Sequence, residues 1–437
     1  MAGAHKPRGG RRAECLVGDV RRPLAWYDCV KTCVKPTEQG EPMRSRAATL
    51  LRGPGDPGRA TFLELFFDLV FVFALFRLSQ GLLERLTWSG ASQTLVLLLA
   101  VWWVWGNTAG VGNRFDPARP AIQALIIACM FGSFLLAVVA PEAFGPRGLV
   151  FAVVYVTVQV GRSLFLVLVT RGDERQRLEV RTLFWFGVSA PLWLVGALAH
   201  GWARAVLWAV AVAVDSAAPR LGLPTPGLPS PRPAEFAFLG EWVAERHRQF
   251  FIIALGELIL VSGLAFASGG LVADRTAAVV VAFATSVLLW RVYIYRAGEV
   301  LGAAVAEAPD PLRVVVSVLY AHAVMVAGVV AISVGDELVI RHPSGHTPPT
   351  WIAVMLGGPA LFLAGRAILE YAVFERVSRD RVIGVLVLAA IWPAMILVPP
   401  FIVATTAAVV LAGVAAADAA RARRRPDEPP SPPGGPS

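Results

Sequence analysis

The chain has 437 residues, of which 56% are hydrophobic and only 16% charged, with a mean hydropathy of +0.61. Soluble domains carry about 25% charged residues, so this composition excludes a soluble globular protein and predicts an all-α polytopic membrane protein. The net charge of +9 does not indicate a nucleic-acid partner, because the positive charges sit in short loops between apolar segments, where they set topology.

Residues 1–60 read as a basic tail without fixed structure, holding all three lysines of the chain, Lys6, Lys31 and Lys35. The spacing of Cys15, Cys29, Cys33 and His5 fits no standard zinc knuckle, so neither a metal nor a cofactor is expected. Met43, followed by a short basic lead into the first apolar run, is a candidate start of translation. No apolar core of a signal peptide precedes it.

A spanning helix needs about 20 apolar residues. Twelve segments qualify, at 62–83, 91–110, 120–140, 148–170, 182–200, 202–216, 249–268, 275–296, 312–334, 350–373, 382–398 and 399–417. The last two are divided by Pro399-Pro400 and alternatively form one hairpin dipping into the membrane. With the N-terminus inside, the even-numbered loops and C-terminal tail hold nineteen arginines, against five in the outer loops (Arg85, Arg147, Arg204, Arg275 and Arg341). That asymmetry predicts twelve spans with both termini cytoplasmic. The proline-rich stretch 217–248 reads as a cytoplasmic linker between two six-helix halves, 61–216 and 249–417, with 418–437 as a basic, proline-rich disordered tail.

The halves echo each other weakly. Phe66-Phe67 aligns with Phe250-Phe251, Trp105 with Trp290, and Gly161-Arg162 with Gly365-Arg366. Six helices per half would make these parallel repeats, an arrangement found in transporters.

The most informative residues are charges inside apolar segments, which cost roughly 2.5–3.5 kcal/mol each at the bilayer centre on insertion scales. Glu64 and Asp68 lie four apart in the first segment, on one helical face. At a rise of about 1.5 Å per residue, Asp68 sits about 9 Å from the cytoplasmic edge, and Glu257, Arg162 and Arg366 about 12 Å. Shared depth predicts two ion pairs, most simply Asp68 with Arg162 and Glu257 with Arg366. Glu370, four residues after Arg366, could instead neutralise it and leave Glu257 free. Glu64, Asp68, Arg162, Glu257 and Arg366 are thus the candidate ion- or substrate-binding residues. Glu245, Arg246, His247, His322 and Glu370 are secondary candidates. Walker, His-Glu-x-x-His, Gly-x-Ser-x-Gly and potassium-filter motifs are absent, and no catalytic residue or enzymatic activity is expected.

The run Phe62-Leu-Glu64-Leu-Phe-Phe-Asp68-Leu-Val-Phe-Val resembles the opening motif of the bacterial low temperature requirement protein A family. A second stretch, Glu245-Arg246-His247 through Phe251-Ile-Ile-Ala-Leu-Gly256-Glu257, is similar to that family's other hallmark, although Arg248-Gln249 stands where Gly-Leu is the expected pattern. The resemblance implies a multi-pass protein of the bacterial cytoplasmic (inner) membrane and no settled biochemical activity. From the charges, the expectation is a secondary transporter or ion- or proton-translocating protein. The alternative is a non-transporting scaffold or sensor whose buried charges are structural. Expected partners are membrane lipids and a small solute or ion, with homo-oligomerisation left open.

Overall fold

The computed structural model describes residues 50–52, 60–229, 239–295 and 297–424, without the side chains of 297–299 and 424. By its contacts the chain divides into Met1–Arg44 and Ser45–Ser437. All described residues belong to the second unit, so the expectations about the cysteines of the tail and about Met43 lie outside them.

Thirteen α-helices follow in order among the described residues: α1 Phe62–Glu84, α2 Trp88–Arg114, α3 Pro120–Val139, α4 Gly148–Val169, α5 Gln176–Leu198, α6 Trp202–Arg220, α7 Gly240–Ala267, α8 Ala273–Ile294, α9 Ala297–Ala306, α10 Pro311–Arg341, α11 Pro349–Phe374, α12 Arg379–Met395 and α13 Pro400–Arg424. No strand occurs among the described residues; Leu51 and Phe115 form one isolated antiparallel bridge. Nine of these helices are long and apolar enough to cross a membrane: α2–α5, α7, α8, α10, α11 and α13. Large apolar side chains such as Leu168, Ile252, Ile259, Phe283 and Val409 point outward from them, as a lipid-facing surface requires. The protein is a polytopic helical membrane protein.

Local chemistry fixes the helix starts. The Thr61 hydroxyl accepts from the Glu64 backbone N–H while the Glu64 carboxylate accepts from that of Thr61, a reciprocal capping box at α1. Thr87 and Asp310 cap α2 and α10 by one bond each, from the Gly90 and Arg313 N–H, and proline opens α3, α10 and α11.

Several boundaries differ from expectation. Helix α7 starts at Gly240, nine residues before the predicted segment, because Glu241–Arg248 is polar yet packed: Trp242, Arg246 and His247 are buried. Helix α10 runs to Arg341, seven residues beyond the predicted end, carrying buried Asp336 and Glu337. Helix α9 is an additional short element where a loop was expected. Helix α13 continues past 417 to Arg424, because Asp418 is buried against Arg381 at 2.7 Å and Arg421 pairs with Asp380. Residues 418–424 are therefore part of the folded body.

The internal echo does not extend to equivalent environments. Trp105 is buried and hydrogen-bonded, whereas Trp290 is exposed. Gly161 faces open space, whereas a Cβ at Gly365 would lie 2.7 Å from the Ala321 carbonyl of α10.

Candidate functional site

The core of the site is the seam between α1 and α7. Trp242 Nε1 donates to Glu64 Oε1 at 3.1 Å, Arg246 Nη2 to Asp68 Oδ1 at 2.6 Å, and Ser79 Oγ to Glu257 Oε1 at 2.7 Å. All three contacts join residues 178 apart in sequence. A constant offset means that the two helices run parallel in one register. Helix α10 joins them in the same direction, with Ser333 reaching Glu257 at 2.8 Å and Glu337 reaching Gln80 at 2.7 Å.

This register corrects the expected pairing. Asp68 is taken by Arg246 and by Trp105 Nε1 at 2.9 Å, so it has no bond to Arg162. Arg246, placed among the loop charges by its apolar-run boundary, is instead wholly buried. Asp68 and Glu257 do not share one depth. Glu257 lies eleven residues beyond Arg246 on α7, about 16 Å further along the helix. Between the two levels lies an aromatic layer in which Phe250 contacts Phe71, Trp102 and Trp105.

Arg366 does not pair with Glu257. Its Nε donates to the Val292 carbonyl at 3.2 Å and its Nη2 to the Tyr295 carbonyl, so it satisfies buried carbonyls that the end of α8 leaves without helical partners. Its Nη1 lies 3.7 Å from Glu370, the neutralisation within one helix that the spacing allowed. Glu370 also meets Arg381 at 3.2 Å and the Ser378 N–H at 3.0 Å. Arg162 donates to Thr108 at 3.3 Å and lies 5.6 Å from the Phe186 ring; it forms no ion pair among the described residues.

Glu64 is saturated by Thr61, Trp242 and Arg52, the last at 3.6 Å, and it packs on Gly112. Glu245 accepts from the Ala60 N–H at 3.3 Å and from Gln249 at 2.8 Å, tying the start of α1 to α7. His247 and His322 are brought together, with ring centroids 4.5 Å apart. The Nδ1 of each lies 2.8 Å from the carbonyl four residues earlier, which can only accept, so each Nδ1 donates. His322 Nε2 meets the Tyr293 hydroxyl at 2.9 Å.

Glu257 is thus set apart. It is fully buried, Ser79 and Ser333 both donate to its Oε1, and its Oε2 has no protein hydrogen-bond partner. No basic side chain lies within ion-pair distance among the described residues. Asp336 and Asp215, both buried, also lack a basic partner there. Asp215 accepts from Tyr155 at 2.8 Å and Trp193 at 3.3 Å. Sequence reasoning missed Ser79, Ser333, Asp336 and Asp215. The available signal was Ser333-x-x-Asp336 continuing the apolar stripe of the ninth segment past its assumed end.

Residues 59–416 match the family model described as Bacterial low temperature requirement A protein. The uncharacterized protein RA0937 of Rhizobium meliloti (strain 1021) is 35% identical over 341 residues, covering 77% of this chain and 83% of that protein. No solved structure matches. Both hallmark stretches lie within the match, one opening α1 and the other running along α7, so the seam that joins Glu64, Asp68, Arg246 and Glu257 is built from them. The chain belongs to the bacterial low temperature requirement A protein family.

Proposed function

We propose that this protein is a secondary transporter or ion- or proton-translocating protein of the bacterial inner membrane, with Glu257 as the residue that takes up the cation or proton. It would span the membrane twelve times in two six-helix halves, with both termini and the short α9 on the cytoplasmic side, as the arginine distribution favours. One observation carries the reading. Glu257 is buried in a membrane helix with two hydroxyls on one oxygen and no counter-charge among the described residues. An uncompensated carboxylate there is costly, whereas Asp68 is matched by Arg246. No enzymatic step enters this reading.

The alternative, a scaffold or sensor, draws its support from the other candidates: Glu64, Asp68 and Arg366 are each held by protein partners. The deciding experiment uses purified protein in liposomes with an internal pH dye under imposed proton, sodium and potassium gradients. Wild type should carry flux, and folded Glu257→Gln should lose it. A folded wild type silent under all three gradients would overturn the transport reading.

A further inference from the structure

On the transport reading, the surroundings of Glu257 bear on which ion it takes. Its Oε1 is occupied by the two serine hydroxyls, which leaves Oε2 as the oxygen without a protein partner. Asp336 follows Ser333 by three residues on α10, on the same helical face, and Ser333 touches Glu257. Asp336 is 6% exposed, and its Oδ2 likewise has no protein partner. Glu337, the next acid, is already engaged by Gln80 at 2.7 Å and by the half-exposed Arg341 at 2.6 Å. Among the described residues no three His, Cys, Asp or Glu side chains converge as a metal site would require.

Asp336 is buried one turn of α10 from the serine that touches Glu257, and two charged carboxylates that near repel strongly where the dielectric is low. One proton between them removes that repulsion and creates a short, charge-assisted O–H···O bond. We propose that Glu257 and Asp336 form a carboxyl–carboxylate pair holding a single proton, and that this proton is the ion the protein takes up. In the transfer, the O–H bond on Asp336 Oδ2 breaks as one forms on Glu257 Oε2, and the negative charge moves the opposite way. Glu337 and Arg341 continue from Asp336 to the exposed end of α10, the side from which the proton arrives.

The test is labelling of the full-length protein with dicyclohexylcarbodiimide, which adds to protonated carboxyl groups in apolar surroundings, followed by peptide mass spectrometry. Wild-type chains should carry the adduct on Glu257 or on Asp336, never on both. Asp336→Asn should cut labelling of Glu257 several-fold at neutral pH, Asp336→Glu should retain it, and excess sodium or potassium chloride should not protect. Doubly labelled chains, unchanged labelling in Asp336→Asn, or protection by either metal cation would each overturn the proposal. The wild-type adduct pattern decides even where a variant fails to fold. Labelling needs no flux, so a wild type that labels as expected but transports nothing would overturn the transport reading alone.

Discussion

Asp68 Oδ1 and Arg246 Nη2 lie 2.6 Å apart across the α1–α7 seam, both shut off from solvent. The pair closes the register that also places Glu64 on Trp242 and Glu257 on Ser79. The arginine meets Oδ1 together with Trp105, so three helices are fixed at one carboxylate. Its role follows from the cost of breaking it. Removing one partner of a buried pair leaves the other charge uncompensated, at about 3–5 kcal/mol.

Arg246→Met should therefore destabilise the protein by about 3–5 kcal/mol, and Asp68→Asn/Arg246→Met by less than the sum of its single variants. A double-mutant cycle on unfolding in detergent measures this. Additive losses would mean that the two side chains do not act as a pair.

Glycine supplies a second check. A Cβ at Gly112 would overlap the Glu64 carboxylate, and one at Gly365 would press on the α10 backbone, while Gly161 faces open space. Gly112→Ala and Gly365→Ala should each cost about 1–3 kcal/mol by overpacking. Gly161→Ala should be neutral or stabilising by up to about 1 kcal/mol, since alanine favours helix. Thermal unfolding of the three variants separates them, and equal shifts would contradict the packing described.

The end of α13 offers a third. Arg381 and Asp418 are buried partners, whereas Arg421 and Asp380 are partly exposed. Asp418→Asn, or truncation after Ala417, should lower stability by about 3 kcal/mol or more, while Asp380→Asn should cost at most about 1 kcal/mol. A truncation at 417 as stable as the full chain would show that the last turns of α13 add nothing.

The membrane class, the family and most helix positions were legible in the sequence, because apolar runs of spanning length leave few alternatives. The pairings were not. Depth was counted from the ends of apolar runs, and polar residues such as Trp242–His247 and Asp336–Glu337 hid how far α7 and α10 continue. An arginine four residues ahead of a phenylalanine run reads as a loop charge until a carboxylate on another helix is seen to need it. Gly161-Arg162 and Gly365-Arg366 are alike in sequence, yet one arginine meets Thr108 and Phe186 while the other caps a helix end. Local spelling does not encode which neighbour a side chain meets. Glu257 was found because any acid in a bilayer is conspicuous; that no basic side chain pairs with it among the described residues is a three-dimensional fact.

The hydroxyls around Glu257 carry the last prediction. Ser79 and Ser333 come from two different helices and both donate to one carboxylate oxygen. A hydrogen bond to a charged group contributes about 1.5–3 kcal/mol, so each hydroxyl stabilises the charged form of Glu257 over the occupied one. Loss of one shifts the balance between empty and occupied site about tenfold or more. On the transport reading proposed above, Ser79→Ala and Ser333→Ala should therefore slow ion release and reduce flux in liposomes by about that factor, while Ser79→Thr, which keeps the hydroxyl, should retain flux. Ser163 offers the control, because its hydroxyl bonds only the Gln159 carbonyl of its own helix. Ser163→Ala should leave flux unchanged. If Ser79→Ala and Ser333→Ala both transported like wild type, release from Glu257 would not depend on its hydroxyl partners, and the ion would have to be bound elsewhere.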